Sequence, residues 1–192
     1  MRVIAGLFRG RRLASVRGRI RPTADKVREA IFNILGAAAV QEARVLDLFA
    51  GTGALGIEAL SRGARSAVFV EEHPVALTVL RRNLETLDLM GRSRVQSLPV
   101  AAALKKLTAR KEQFGLVFLD PPYGSGLALA TLEALGPAAL LLQPAWVVAE
   151  CSRREILPEI INALERFEMR RYGDTQVAFY STGDPEKQEL TA

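Results

Sequence analysis

From Arg44 to Glu150 the chain repeats one pattern: a short β-rich apolar run, then a stretch with helical spacing. The apolar runs are Arg44–Leu48, Ala67–Glu71, Arg94–Ser97, Leu116–Leu119 and Trp146–Glu150. Ala54–Arg62, Pro74–Leu87, Val100–Ala109 and Leu127–Leu135 read as the helices between them, the last with an extension over Ala138–Leu142. Strands joined by helices cannot pair through tight hairpins. They return by crossovers and lie parallel, which predicts a doubly wound sheet with helices on both faces. A further helix is expected over Glu155–Arg166, with Pro158 in its first turn. No helical stretch separates Glu168–Tyr172 from Gln176–Ser181, so these should pair antiparallel through a Gly173-Asp174 turn. The expectation is a mostly parallel seven-stranded α/β sheet closed by a C-terminal antiparallel hairpin.

Ahead of the sheet, Val3-Ile4 and Arg12-Leu13-Ala14 suggest a short hairpin turned by Gly6 and Gly10. Val27, Ala30, Ile31, Ile34 and Leu35 then mark one apolar helix face, opened by Thr23 and closed by Gly36. A single domain over residues 1–192 follows: a basic hairpin and helix (1–36), a Rossmann-like core (37–182) and a flexible tail (183–192). Hydrophobic residues make up 49% of the chain, yet no apolar run reaches membrane-span length, and a signal peptide is not expected. One cysteine, Cys151, rules out an intrachain disulfide and a cysteine-clustered zinc site. His73 stands alone as well, so neither a histidine metal site nor a histidine triad can form. A monomer in a reducing cytoplasm is the expected setting.

Charge is unevenly spread. Residues 1–28 hold nine basic side chains against Asp25 alone, or +8, whereas the whole chain carries +5. Arg9, Arg11, Arg12, Arg17, Arg19 and Arg21 therefore form a basic arm on a slightly acidic body, which points to a polyanion, nucleic acid first.

Two turns carry the chemistry. The first run leads into Asp47-Leu48-Phe49-Ala50-Gly51-Thr52-Gly53-Ala54-Leu55-Gly56, a G-x-G-x-x-G pattern between strand and helix. Such a loop lets the backbone approach a nucleotide cofactor closely, with Phe49, Ala50, Gly51 and Gly53 as contacts. Glu71, with Glu72 as substitute, stands where an acidic residue would bind a ribose hydroxyl pair. A nicotinamide dinucleotide would fit this far. Asp47 favours S-adenosylmethionine, since a carboxylate there suits a cationic amino-acid end and repels a pyrophosphate. The second turn, Asp120-Pro121-Pro122-Tyr123, ends the fourth run. Its prolines end the strand and stiffen the turn. Asp120 and the Pro121 carbonyl can hold the N–H bonds of an exocyclic amine. The Tyr123 ring offers a platform for a flipped base, a role in which its hydroxyl is dispensable.

Together these motifs resemble the amino-methyltransferases. Arg21-Pro22-Thr23-Ala24-Asp25-Lys26-Val27-Arg28-Glu29-Ala30-Ile31-Phe32-Asn33, with Gly6 to Leu13 and Gly173-Asp174-Thr175, is similar to the RsmD family of bacterial 16S rRNA guanine-N2 methyltransferases. The resemblance covers nearly the whole chain. It implies S-adenosylmethionine as donor, S-adenosylhomocysteine as product, no metal, and 16S rRNA in an assembled or assembling 30S subunit as substrate. Enzymes of this type often place Asp or Asn after the third strand for the adenine amino group. Here Leu98-Pro99-Val100 offers no side-chain acceptor, so Pro99 and the Val100 backbone N–H would hold the adenine. A DNA adenine-N6 methyltransferase uses the same turn, but the chain has no room for a target-recognition domain. A protein glutamine methyltransferase would leave the basic arm without a purpose. A nucleic-acid-binding protein with a vestigial cofactor site sits badly with intact glycines and an intact Asp-Pro-Pro-Tyr.

Overall fold

The computed structural model describes residues 1–16, 23–136 and 139–183, without the side chains of residues 23 and 24. Helix α1 (Thr23–Leu35) precedes β1 (Arg44–Leu48), α2 (Ala54–Ser61), β2 (Ser66–Glu71), α3 (Pro74–Thr86), β3 (Ser93–Ser97), α4 (Val100–Ala109), β4 (Phe114–Leu119), α5 (Leu127–Leu135) and β5 (Leu141–Ser152). Three strands follow without a helix: β6 (Ile160–Ile161), β7 (Leu164–Tyr172) and β8 (Thr175–Ser181). The sheet order is β3-β2-β1-β4-β5-β8-β7-β6. The first five strands are parallel; β8, β7 and β6 join antiparallel. This is the Rossmann-like class I methyltransferase fold with its C-terminal antiparallel hairpin, plus the two-residue β6 at its edge.

Residue alternation sorts the core into two layers. Val45, Ala67, Phe69, Leu116 and Phe118 face α1, α2 and α3, whose Ile31, Ile57, Leu60, Leu80 and Leu84 are buried against them. Leu46, Leu48, Val68, Val70, Val117 and Leu119 face α4 and α5, represented by Leu104, Leu107, Leu132 and Leu135. Both faces are covered, which is why these strands read as continuous apolar runs.

Two expected elements are corrected. Glu155–Arg166 is not a helix. Leu157, Ile161 and Leu164 are spaced like a helical stripe and are buried, but Ile156 and Ile160 are exposed. The chain runs as a loop through Pro158, and Asn162, at φ 54°, turns β6 into β7. A short polar side chain tolerates that left-handed backbone, so the hairpin wins over the helix. The proposed extension of α5 over Ala138–Leu142 also fails. Ala138 lies outside the described residues, the Leu140 carbonyl accepts the Phe114 N–H at 2.8 Å, and Leu141 already belongs to β5.

The N-terminal hairpin shrinks to one bridge, Arg2 with Arg12, flanked by Val3 N–H to Arg11 O and Leu13 N–H to Met1 O, both 3.0 Å. Its turn lies along α2. The buried Glu58 carboxylate accepts the Ile4 and Ala5 N–H groups at 2.8 and 2.9 Å and the Arg62 Nε–H at 2.8 Å. Ser61 Oγ donates to Ala5 O at 2.6 Å and accepts from the Phe8 N–H at 3.0 Å. Gly6 is required here: at φ 80°, a Cβ would stand 1.9 Å from the Ser61 carbonyl oxygen.

Candidate active site

The strand order reverses between β1 and β4, so their carboxyl ends form the switch point where α/β sheets bind ligands. Leu48 pairs with Leu119, and the Asp120 N–H points at the Leu48 carbonyl at 3.5 Å. The glycine loop and the Asp-Pro-Pro-Tyr turn thus leave the sheet side by side.

Phe49, Gly51 and Gly53 all have positive φ. Gly53 is the N-cap of α2 in left-handed geometry, and a Cβ there would meet Leu80 Cδ1 at 2.4 Å. The loop is held by Ala50 N–H to Val70 O at 3.0 Å and Gly53 N–H to Ala50 O at 2.7 Å. Glu71 ends β2 and turns its carboxylate onto the loop. One oxygen accepts the Gly51 N–H at 2.7 Å; the other accepts the Glu72 and His73 N–H groups at 2.9 and 2.8 Å. Glu72 is exposed, and its side chain shares none of these bonds. His73 is the N-cap residue of α3, without a side-chain capping bond.

Asp47 is buried under the loop and accepts the Gly56 N–H at 2.9 Å. Burial pushes its carboxyl from an ordinary 3.8 up to about 7, with the Gly56 hydrogen bond opposing and the Glu71 charge assisting. Across the sheet, Leu98 and Val100 are half-buried against the α4 layer. Pro99 is the N-cap of α4, which leaves the Val100 N–H in the first turn, where no intrahelical acceptor exists.

In the second turn Asp120 is exposed, Pro121 buried and Tyr123 half-buried. The Tyr123 hydroxyl is itself engaged in contacts. It donates to Glu150 Oε1 at 2.6 Å and lies 2.6 Å from Thr175 Oγ1, joining the turn to β5 and β8. Burial and the Glu150 hydrogen bond push this phenol well up. Glu155 clamps the turn from the next loop, accepting the Gly124 N–H at 3.1 Å and the Ser152 N–H at 3.2 Å.

Asn83 on α3 also reaches the site, although the motifs gave no reason to choose it. Only 2% exposed, it donates to the Thr52 carbonyl at 3.0 Å and the Ala14 carbonyl at 3.1 Å, and accepts the Ala14 N–H at 2.8 Å. Its signal was a polar residue among Leu77, Leu80, Leu84 and Leu87 on a buried stripe. The basic arm is divided. Arg9, Arg11 and Arg12 are exposed; Phe8 and Arg11 contact Ser61 and Thr86, at the ends of α2 and α3 away from the glycine loop. Arg17, Arg19 and Arg21 lie outside the described residues. Among the described residues no group of His, Cys, Asp and Glu could hold a metal ion, and no helix is long and apolar enough to cross a membrane.

Known proteins share this architecture and much of its sequence. YlbH of Bacillus subtilis is 41% identical over 94% of this chain and 98% of its own. The ribosomal RNA small subunit methyltransferase D of Escherichia coli K12 is 37% identical over 83% of this chain and 79% of its own. The solved structure of the Escherichia coli yhhF protein superposes with a TM-score of 0.83 at 35% identity, covering 94% of this chain and 97% of that one. The family described as conserved hypothetical protein 95 matches residues 1–181. The chain belongs to that family, the RsmD family of Rossmann-like methyltransferases.

Proposed function

We propose that this protein transfers a methyl group from S-adenosylmethionine to the exocyclic N2 amine of a guanine in 16S rRNA. The observation that carries the reading is the adjacency of the two turns, one backbone contact apart at the ends of β1 and β4. A small-subunit rRNA methyltransferase at 37% identity supports the substrate class.

The residues fit the cofactor. Positive φ at Phe49, Gly51 and Gly53 shapes the loop backbone, and a Cβ at Gly53 would collide with Leu80 in the core behind it, so only glycine lets the loop lie this close to α3. Among the described residues Glu71 Oε2 accepts only the Gly51 N–H, which leaves a lone pair for a ribose hydroxyl. Asp47, buried behind the loop, would serve the methionine end, and Pro99 and the Val100 N–H would hold the adenine, with Ala50 and Phe49 lining the loop. When bound, the cofactor supplies an electrophilic methyl on a sulfonium. Asp120 and the Pro121 carbonyl would accept the N–H bonds of the guanine amine and fix the orientation of its nitrogen. The proton the amine loses leaves through the Asp120 carboxylate. Pro122 keeps the turn rigid, and Tyr123, pinned through its hydroxyl, presents the ring on which the base stacks. The basic arm, Arg9, Arg11, Arg12, Arg17, Arg19 and Arg21, binds phosphates of an assembled or assembling 30S subunit. One catalytic unit, acting as a monomer in the cytoplasm, suffices for this scheme.

Labelled methyl transfer from S-adenosylmethionine tests it, with 30S subunits, naked 16S rRNA, duplex DNA and protein extract as acceptors. The expected product is N2-methylguanine in 16S rRNA. Label that appears only in DNA or protein, or on another atom of the RNA, overturns the proposal.

A further inference from the structure

On the described loops that follow β1 to β4, at residues 49–53, 72–73, 98–99 and 120–126, no Lys or Arg occurs. The loop after β5 differs: it carries Arg153 and Arg154, both exposed. Three contacts fix this loop beside the catalytic turn. The Glu155 carboxylate holds Gly124 and Ser152, as described. The Arg153 N–H donates to the Asp174 carbonyl at 2.9 Å, which ties the loop to the β7–β8 turn. Gln176 Nε2 donates to the Glu155 carbonyl at 2.5 Å. Arg171 on β7 pairs with Gln176 in register, so it stands next to this loop, exposed.

We infer that Arg153, Arg154 and Arg171 form a second phosphate-binding ridge, which grips the rRNA strand flanking the target base. The inference rests on the rRNA reading proposed above. Charge and position together carry it. None of the three guanidinium groups is in an ion pair among the described residues, whereas their neighbours Arg166 and Arg170 pair with Glu159 and Glu168. Nearby carboxylates do not cancel the ridge: Glu155 is turned inward onto backbone N–H groups, Glu150 is engaged by the Tyr123 hydroxyl, Asp120 stands on the catalytic turn, and Asp174 is one carboxylate against three guanidinium groups. Arg9, Arg11 and Arg12 cannot serve this place, because that part of the arm packs at the far ends of α2 and α3. A base held between Asp120 and Tyr123 has its flanking phosphates nearest the loop that is clamped to that turn. Ile156, 87% exposed on the same loop, adds an apolar contact for a base or sugar.

The test is equilibrium binding to 30S subunits at several salt concentrations, for wild type, a triple Arg→Gln variant at 153, 154 and 171, and the matching triple Arg→Lys variant. Each lost phosphate contact should lower the salt slope by roughly 0.7–0.9, so the Gln variant should lose roughly 2.1–2.7 in slope. The Lys variant should keep the wild-type slope. Calorimetric S-adenosylmethionine affinity should be unchanged in both, which shows that the fold is intact. A Gln variant with the wild-type slope overturns the ridge, as does a Lys variant that loses as much as the Gln variant. Binding is read without turnover, so the ridge is judged independently: absence of methyl transfer by wild type sinks only the methyltransferase reading.

Discussion

Asp47 shows how burial sets the behaviour of one residue. Its carboxyl ionises near pH 7, so the charge beneath the loop is half-formed at neutrality. Affinity for the cationic cofactor should rise as pH passes upward through 7, and should be flat in Asp47→Asn; calorimetry between pH 6 and 8 reads this. The effect on stability has the opposite sense. The folded state holds this proton more tightly than the unfolded chain, whose value is near 3.8, so the contribution is intact below that and is lost as pH climbs to 7. The melting temperature of wild type should therefore fall relative to Asp47→Asn across that window. Gln96 poses a different problem. It is 6% exposed in β3, beside Val70, and neither polar atom of its amide has a hydrogen-bond partner among the described residues. An unsatisfied buried polar group costs about 1–3 kcal/mol, so Gln96→Met should raise stability by about 1 kcal/mol in urea denaturation; a loss would reveal a partner. Tyr123→Phe keeps the ring but removes the hydroxyl that contacts Glu150 and Thr175. Single-turnover transfer should fall about tenfold, with a lower melting temperature, whereas silence would reduce the hydroxyl to a bystander. Asp120 and Tyr123 were readable because their motif is contiguous. Glu150, Thr175 and Glu155 were not, because only the pairing of β5 with β8 and the folding of one loop bring them to the turn.

At the scale of elements, β1 through β5 and all five helices were legible, because strands covered on both faces and amphipathic helices each leave a clear period. The failures came at Ala138–Leu142, whose last two residues open β5, and at Glu155–Arg166, where apolar residues at helical spacing serve a loop and an edge hairpin. Spacing cannot separate these cases when a turn depends on one asparagine at φ 54°. Asn83 tests how elements are coupled. It is the hub joining α3, the glycine loop and the chain at Ala14. Asn83→Ala leaves three backbone groups unpaired at once. Cofactor affinity should drop by about tenfold while the single-turnover rate at saturating cofactor changes little. If the rate fell and affinity held, Asn83 would act on the chemistry and not on the loop.

For the whole molecule, the proposed scheme separates binding from chemistry: cofactor groups on β1, β2 and α4, amine-holding groups on β4, cations on the arm and beyond β5. Asp120→Ala should fold, bind S-adenosylmethionine and bind subunits as wild type does. It should nonetheless lose at least about 100-fold in single-turnover transfer, since misplacing a reacting group by about 1 Å costs that much. Near-normal transfer would leave Asp120 as a strand-ending residue only. The docking of the arm also sets an order of events during synthesis. Ile4 and Ala5 find their acceptor only when Glu58 exists, and Ala14 waits for Asn83, which is 69 residues later. At about 5–20 residues per second that delay is roughly 3–14 s. The first segment made is thus among the last to dock, and a nascent chain halted before α3 should leave its amino terminus open to protease although β1 and α2 are already translated.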